Sequence, residues 1–376
     1  MQNQELLQGL FLTGDPITKF FRLKLNLRPL LSSIVLVSIL LLPILILAFI
    51  FNYWQDSAER IGLMNDYEAW FYIFISIPAM FFYFFWLPMG INNVIQGLID
   101  NKTLIIPTDS EEHKDRFHQF ILGFDKAYSR SIWAITSITL VTVYIILITA
   151  PELKTYQTWL NSEPIVYQYV LLFWILVFSI GLLFIIRVII SIVWLNNLLQ
   201  EFPVDVRILH PDGAGGLSPL GEFSVKLGYL IGILGVTVVA STILSSYSMT
   251  GTFSGPIFTL NIIILTIVYF VMAPVAFFAP INSAHGVMKK AKYDFLLDIS
   301  NQFESERERV QSLRTEDIKK YEDSFDKIFL LQKTFQFGRH FPVWPFNTDS
   351  LLRFFAAVTS PLVLAAVTTI INIVIK

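Results

Sequence analysis

The residues best placed to do chemistry form one short run, His210-Pro-Asp-Gly-Ala-Gly-Gly-Leu217, with Arg207 just ahead of it. Glycines at Gly213, Gly215 and Gly216 let backbone N–H groups turn inward together, which makes a concave anion site. Arg207, His210 and Asp212 would border that site. The plainer reading is that the glycines only allow a tight return of the chain. The run lacks the Lys-Ser/Thr that closes a Walker loop, so it is not a phosphate loop of that kind. Lys289, Lys290 and Lys292, with Arg307 and Arg309, form a second candidate, a basic patch. Such a patch suits anionic lipid or a nucleotide or short oligonucleotide. The acids Glu304, Glu306 and Glu308 between them dilute the second reading, and a net charge of −2 gives no footing for duplex nucleic acid.

Other chemistry is excluded by what the chain lacks. It has no cysteine, so disulfides, thiolate catalysis and Fe–S ligation are ruled out. His113 and His118 are five apart, not the three or four that put two ligands on one helical face. His210, His285 and His340 lie in separate segments. No serine-hydrolase, zinc-protease or dinucleotide fingerprint is present. The expectation is a protein that is not an enzyme and uses no metal and no cofactor.

The elements that must position these residues are membrane helices. Hydrophobic residues make up 54% of the 376 residues and charged ones 15%, against about 25% charge in a typical soluble domain. Seven apolar stretches are long enough to span: 31–51, 69–91, 131–150, 165–187, 228–248, 256–280 and 351–375. Loops and arm on one side carry 22 Lys and Arg, the other side only Arg60, Lys154 and Lys376. That bias places the N-terminus and all large loops in the cytoplasm, within a bacterial inner membrane. The first thirty residues show no apolar run followed by a small-residue cleavage site, so no removable signal peptide is expected. Trp54, Trp70, Trp86 and Trp133 fall near predicted helix ends, as an interfacial belt requires.

The fold class expected is all-α: a polytopic transmembrane bundle of six or seven spans with cytoplasmic helical extensions. It divides into an N-terminal arm (1–30), transmembrane hairpins with cytoplasmic loops at 92–130 and 201–227 (31–280), a helical hairpin (281–338), and a Pro/Trp segment with a last membrane helix (339–376). If 165–200 is one helix, it is about 54 Å long and overshoots a hydrocarbon core of about 30 Å. The second, fourth and sixth spans end in similar text: Ile91-Asn-Asn, Leu195-Asn-Asn and Ile281-Asn-Ser. This reads either as three extended hairpins or as ordinary juxtamembrane composition. Within 281–338 a turn is expected near Leu313-Arg-Thr315. Ile318, Tyr321, Phe325, Ile328, Gln332 and Phe335 follow a coiled-coil-like spacing.

Ionisable residues are nearly absent from the spans, which argues against proton coupling. Arg187 follows about 22 apolar residues and reads as a snorkelling residue or a gating one. Thr136, Thr139, Thr142, Thr242, Ser245 and Ser246 supply neutral polarity. This suits small-residue helix packing or the uncharged lining of an ion pore. Gly228, Gly232 and Gly235 fall roughly on the same face of the fifth span as Thr242 and the two serines.

The pairing of His210-Pro-Asp-Gly-Ala-Gly-Gly-Leu217 with Phe341-Pro-Val-Trp-Pro-Phe346 resembles a pattern in poorly characterised bacterial polytopic proteins. The likeness covers 160–376 and carries over no catalytic residue. The whole layout also looks like the membrane effectors of nucleotide-signalled anti-phage systems of the Hailong type. That resemblance implies a tetrameric ion channel controlled by a deoxyadenylate oligomer. The expected function is therefore a homo-oligomeric, cytoplasmically gated ion channel that depolarises the membrane in anti-phage defence. The alternatives are a small-solute transporter and a non-conducting scaffold for a cytoplasmic partner.

Overall fold

A computed structural model describes residues 16–57, 60–105, 111–156, 158–250, 259–312, 318–346, 351–361 and 363. A short helix α1 (Pro16–Lys19) runs into a π-helical turn at Phe20–Lys24. Then follow α2 (Pro29–Ile50), α3 (Tyr67–Asp100), α4 (Glu111–Tyr128), α5 (131–153), α6 (Pro164–Glu201), α7 (Ser218–Thr250) and α8 (Leu260–Phe278). The chain continues as α9 (Asn282–Ser312), α10 (Ile318–His340) and α11 (Leu351–Pro361). Among the described residues, six helical segments are long and apolar enough to cross a membrane. Helix is the structure that satisfies its own backbone groups in lipid. The protein is an all-α polytopic membrane protein. The seventh expected span, 351–375, is helical through Pro361 and at Val363, and its other residues lie outside those described.

The helices define two ends. The basic end gathers the turns at 101–105 and 202–217 and the α9–α10 region; the short-loop end gathers 51–66 and 154–163. At the basic end α6 runs unbroken for 38 residues, about 57 Å, so it overshoots the hydrocarbon core. Its far half receives α4: Phe120 and Phe124 pack on Trp194, and Phe117 packs on Phe202. The repeated Asn-Asn text has a structural use here. Asn196 Nδ2 donates to Ala279 O at 2.8 Å and its Oδ1 accepts from Ser283 N at 3.1 Å, splicing the break between α8 and α9.

Of the small and polar residues expected on one face of α7, the three glycines and Ser245 lie on two. On the first, Gly228, Gly232 and Gly235 let α11 approach. A Cβ at these positions would fall 2.6 Å from Phe354, 2.8 Å from Ala357 and 2.6 Å from Pro361. On the second, Thr237, Ser241 and Ser245 meet α3 at matching intervals of four. Their partners are Ser76 at 2.8 Å, Tyr72 at 2.6 Å and Glu68 at 2.9 Å. Each hydroxyl is thus hydrogen-bonded between the two helices.

Helices α9 and α10 pack antiparallel, with Glu306 hydrogen-bonded to Lys327 and Lys292 to the far end of α10. The turn expected near Leu313-Arg-Thr315 lies outside the described residues. The seam of this hairpin differs from the periodic reading. Ser324 and Leu331 are buried and Gly338 packs on Phe295, whereas Phe325, Gln332 and Phe335 of the expected stripe are exposed and Ile328 is half-buried. The small residues decide it. Ser324 and Gly338 allow close approach of the two backbones, which leaves the bulkier stripe outside.

Candidate functional site

The glycine-rich loop is built around its own carboxylate. Asp212 accepts hydrogen bonds from the N–H groups of Ala214 (2.9 Å), Gly216 (3.0 Å) and Ser218 (3.2 Å). Ser218 opens α7, so the carboxylate also sits at a helix N-terminus, where negative charge is favoured. His210 Nδ1 lies 2.8 Å from Asp212 Oδ1. Burial opposes the charge, but the three amides and His210 outweigh it and hold the Asp212 carboxyl below its ordinary value. The concave nest expected for an external anion is therefore filled by Asp212. Gly216 closes the structure: its φ is +91°, and a Cβ there would lie 1.8 Å from Thr103 Oγ1. Its carbonyl accepts from Asn101 Nδ2 at 3.0 Å, joining the loop to the end of α3.

The two motifs that stand apart in sequence meet in space. Phe341 packs on the loop, with its Cζ 3.0 Å from where a Gly215 Cβ would be. His285 of α9 stacks on Trp344 with ring centroids 4.0 Å apart and pairs through Nδ1 with Val343 O at 2.7 Å. Lys292 donates to Arg339 O (2.7 Å) and Phe341 O (2.8 Å), so it closes the C-terminus of α10. Of the expected ligand-binding cations, Lys289 and Lys290 are exposed, while Arg207 is exposed and paired with Asp205 at 2.9 Å. Lys289 and Lys290 are thus exposed toward any anion, whereas Arg207 already holds a carboxylate and Lys292 two carbonyls.

Within the spans, Arg187 is enclosed rather than snorkelling. It is buried, with its guanidinium 4.8 Å from the Phe84 ring and 4.9 Å from that of Tyr128. Desolvated cation–π contacts of this kind hold a charge in an apolar setting. Of the six residues expected to line a pore, the five whose side chains are described do not share a path in one chain. Thr136 and Thr142 are half-buried and Thr139 exposed on α5. Thr242 and Ser245 are buried on α7, where Thr242 bonds Val239 O. The Ser246 side chain lies outside those described.

The sequence reading missed the feature at the short-loop end. A chamber of about 90 Å³ has Asp66, Glu68, Glu152, Tyr72, Tyr156 and Asn261 in its walls, beside apolar residues such as Leu160 and Phe178. Asp66 accepts from Trp159 Nε1 at 3.1 Å, and Glu152 accepts from Asn261 N at 3.3 Å. Asn261 Oδ1 also accepts from Tyr144 and Thr149. Beneath it lies a largely apolar cavity of about 420 Å³ between α3, α5, α6, α7 and α8. The two share Tyr72, Tyr144, Trp174, Phe178 and Leu265 as walls. Two π-helical turns, Tyr72–Ser76 and Ile145–Thr149, flank them. Such single-turn widenings recur at functional sites. The four-residue spacing of Glu68, Tyr72 and Ser76 against Thr237, Ser241 and Ser245 was the available signal.

Fold and site define a polytopic α-helical membrane protein with, among the described residues, a self-capped loop and two adjoining cavities that share walls. Searches of protein-family models, curated proteins and solved structures return no match to this chain.

Proposed function

We propose that the protein is a homo-oligomeric ion channel of a bacterial inner membrane, controlled from its basic end, which faces the cytoplasm. The observation that carries this reading is the outward stripe of the α9–α10 hairpin. Phe325, Phe329 and Phe335 of α10, with Tyr293 and Leu297 of α9, are exposed. Tyr293 lies eleven residues into α9, about 16 Å past its start. A stripe of this size in water marks a protein interface, and its spacing is that of a helix seeking another helix. A second copy is the occupant proposed. Assembly around an axis would also give Thr136, Thr139 and Thr142 of α5 a neighbour to face. The ligand proposed for the exposed Lys289, Lys290 and Arg207 is a nucleotide or short oligonucleotide, and the biological role proposed is anti-phage defence.

The test of assembly is the mass of the full chain in lipid nanodiscs. The reading requires a closed oligomer, and Leu297→Glu with Phe329→Glu should convert it to monomer without unfolding it. A wild-type monomer would refute it. A second reading, a small-solute carrier, draws on the 420 Å³ cavity, since transporters hold their substrates near the midplane.

A further inference from the structure

We propose that the two adjoining cavities together form a binding site for a single-tailed amphiphile with an ammonium head: the head sits among Glu68, Glu152 and the tyrosines, and the tail passes the shared walls into the apolar cavity below. This holds whether or not the protein conducts ions.

The head chamber combines the two features that recognise an alkylated or primary ammonium. The carboxylates of Asp66, Glu68 and Glu152 line it, and no Lys, Arg or His is among its lining residues. The described basic residues of that end lie elsewhere: Arg60 over the Tyr53 ring at 4.3 Å and Lys154 over Tyr167 at 6.0 Å. Residues 251–258, outside those described, carry no charge in sequence. Tyr72, Tyr144, Tyr156 and Trp174 supply aromatic faces. Aromatic walls with nearby carboxylates are the usual receptor for quaternary ammonium groups.

The tail compartment adds what a bare cation site would not need. Its volume of about 420 Å³ falls within the range of small-ligand pockets, about 300–1,000 Å³. Val141, Val177, Ile231 and Ala276 line it, and its polar groups are already hydrogen-bonded: Tyr72 to Ser241, Ser76 to Thr237 and Tyr144 to Asn261. An inorganic ion gains nothing from such walls, whereas an alkyl chain does.

The full chain in nanodiscs of phosphatidylglycerol, which carries no ammonium, is titrated with three probes and read by native mass spectrometry. The probes are dodecyltrimethylammonium, dodecyl sulfonate and tetramethylammonium. The expected result is one saturable dodecyltrimethylammonium per chain, bound at least about tenfold more tightly than either other probe, a difference of about 1.4 kcal/mol. Glu68→Gln should remove the preference over the sulfonate, and Val141→Phe should weaken the tailed probes only. Equal binding of the sulfonate overturns the proposal, because the crevice would then take any tail. Equal binding of tetramethylammonium overturns it too, because the site would then be one for small cations. Absence of saturable binding by the unmutated chain overturns it outright.

Discussion

The two ends of the molecule invert the relation between sequence text and open chemistry. The basic end carries the most distinctive run in the chain, yet its glycine loop spends its amides on Asp212 and its packing on Thr103 and Phe341. The short-loop end carries no motif, yet it holds an acid-lined chamber above an apolar cavity. A loop that must pass three close approaches at once needs particular residues at adjacent positions, and that is visible as a motif. A chamber assembled from five helices takes only scattered residues from each, and that is not. Distinctive text here marks a structural joint between α3, α7, α9 and α10.

This contrast can be broken most severely at Gly216. Replacing it by valine forces a Cβ onto Thr103 in a backbone region that side chains avoid. Strain and clash together should cost about 4 kcal/mol or abolish folding. Gly213→Ala is the control. Its φ is +66° but nothing lies within 4 Å of the new atom, so the expected cost is about 1 kcal/mol. Thermal unfolding in nanodiscs separates the two, and equal losses would remove the claim that the loop is a packed joint.

Asp212→Asn comes next, with an expected loss of about 2 kcal/mol, since an amide accepts through one oxygen where the carboxylate uses two. The pH dependence follows from the sign of the shift. The folded carboxyl is held below its ordinary value of 3.8, so its contribution is complete above that value and is lost as pH falls through the lowered one. A pH-independent gap between wild type and Asp212→Asn across that acid window would contradict the assignment.

At the opposite end Glu68→Gln should change stability least, by under about 1 kcal/mol, because the amide oxygen still accepts from Ser245. Its effect should fall on cation binding instead. If unfolding measurements show Glu68→Gln to be as damaging as Asp212→Asn, the chamber is a structural polar network and the contrast between the ends disappears.

Much of the fold was legible because lipid enforces it. Long apolar runs gave six spans, the continuous α6 and the α9–α10 pair followed from length and charge pattern, and the glycines at 228, 232 and 235 announced a close helix contact. The hairpin seam was misread for a physical reason. Periodicity weights large apolar residues, and here Ser324 and Gly338 take the inside so that the phenylalanines stay out. Arg187 was placed at an interface because sequence distance gives depth but not enclosure by Phe84 and Tyr128. The cavity was invisible for a different reason. The π-helical turns at Tyr72–Ser76 and Ile145–Thr149 shift which residues face inward, and apolar text carries no sign of them.

The central claim is conduction controlled from the basic end, and ion flux through the purified full chain in liposomes tests it most directly. Potassium efflux would be followed alone and after adding nucleoside triphosphates or short oligodeoxyadenylates to the face that bears Lys289 and Lys290. The account predicts flux that one of these switches, with the response lost in the Lys289→Ala, Lys290→Ala double variant. Folded, correctly inserted protein that passes no ions under any of these conditions would contradict it.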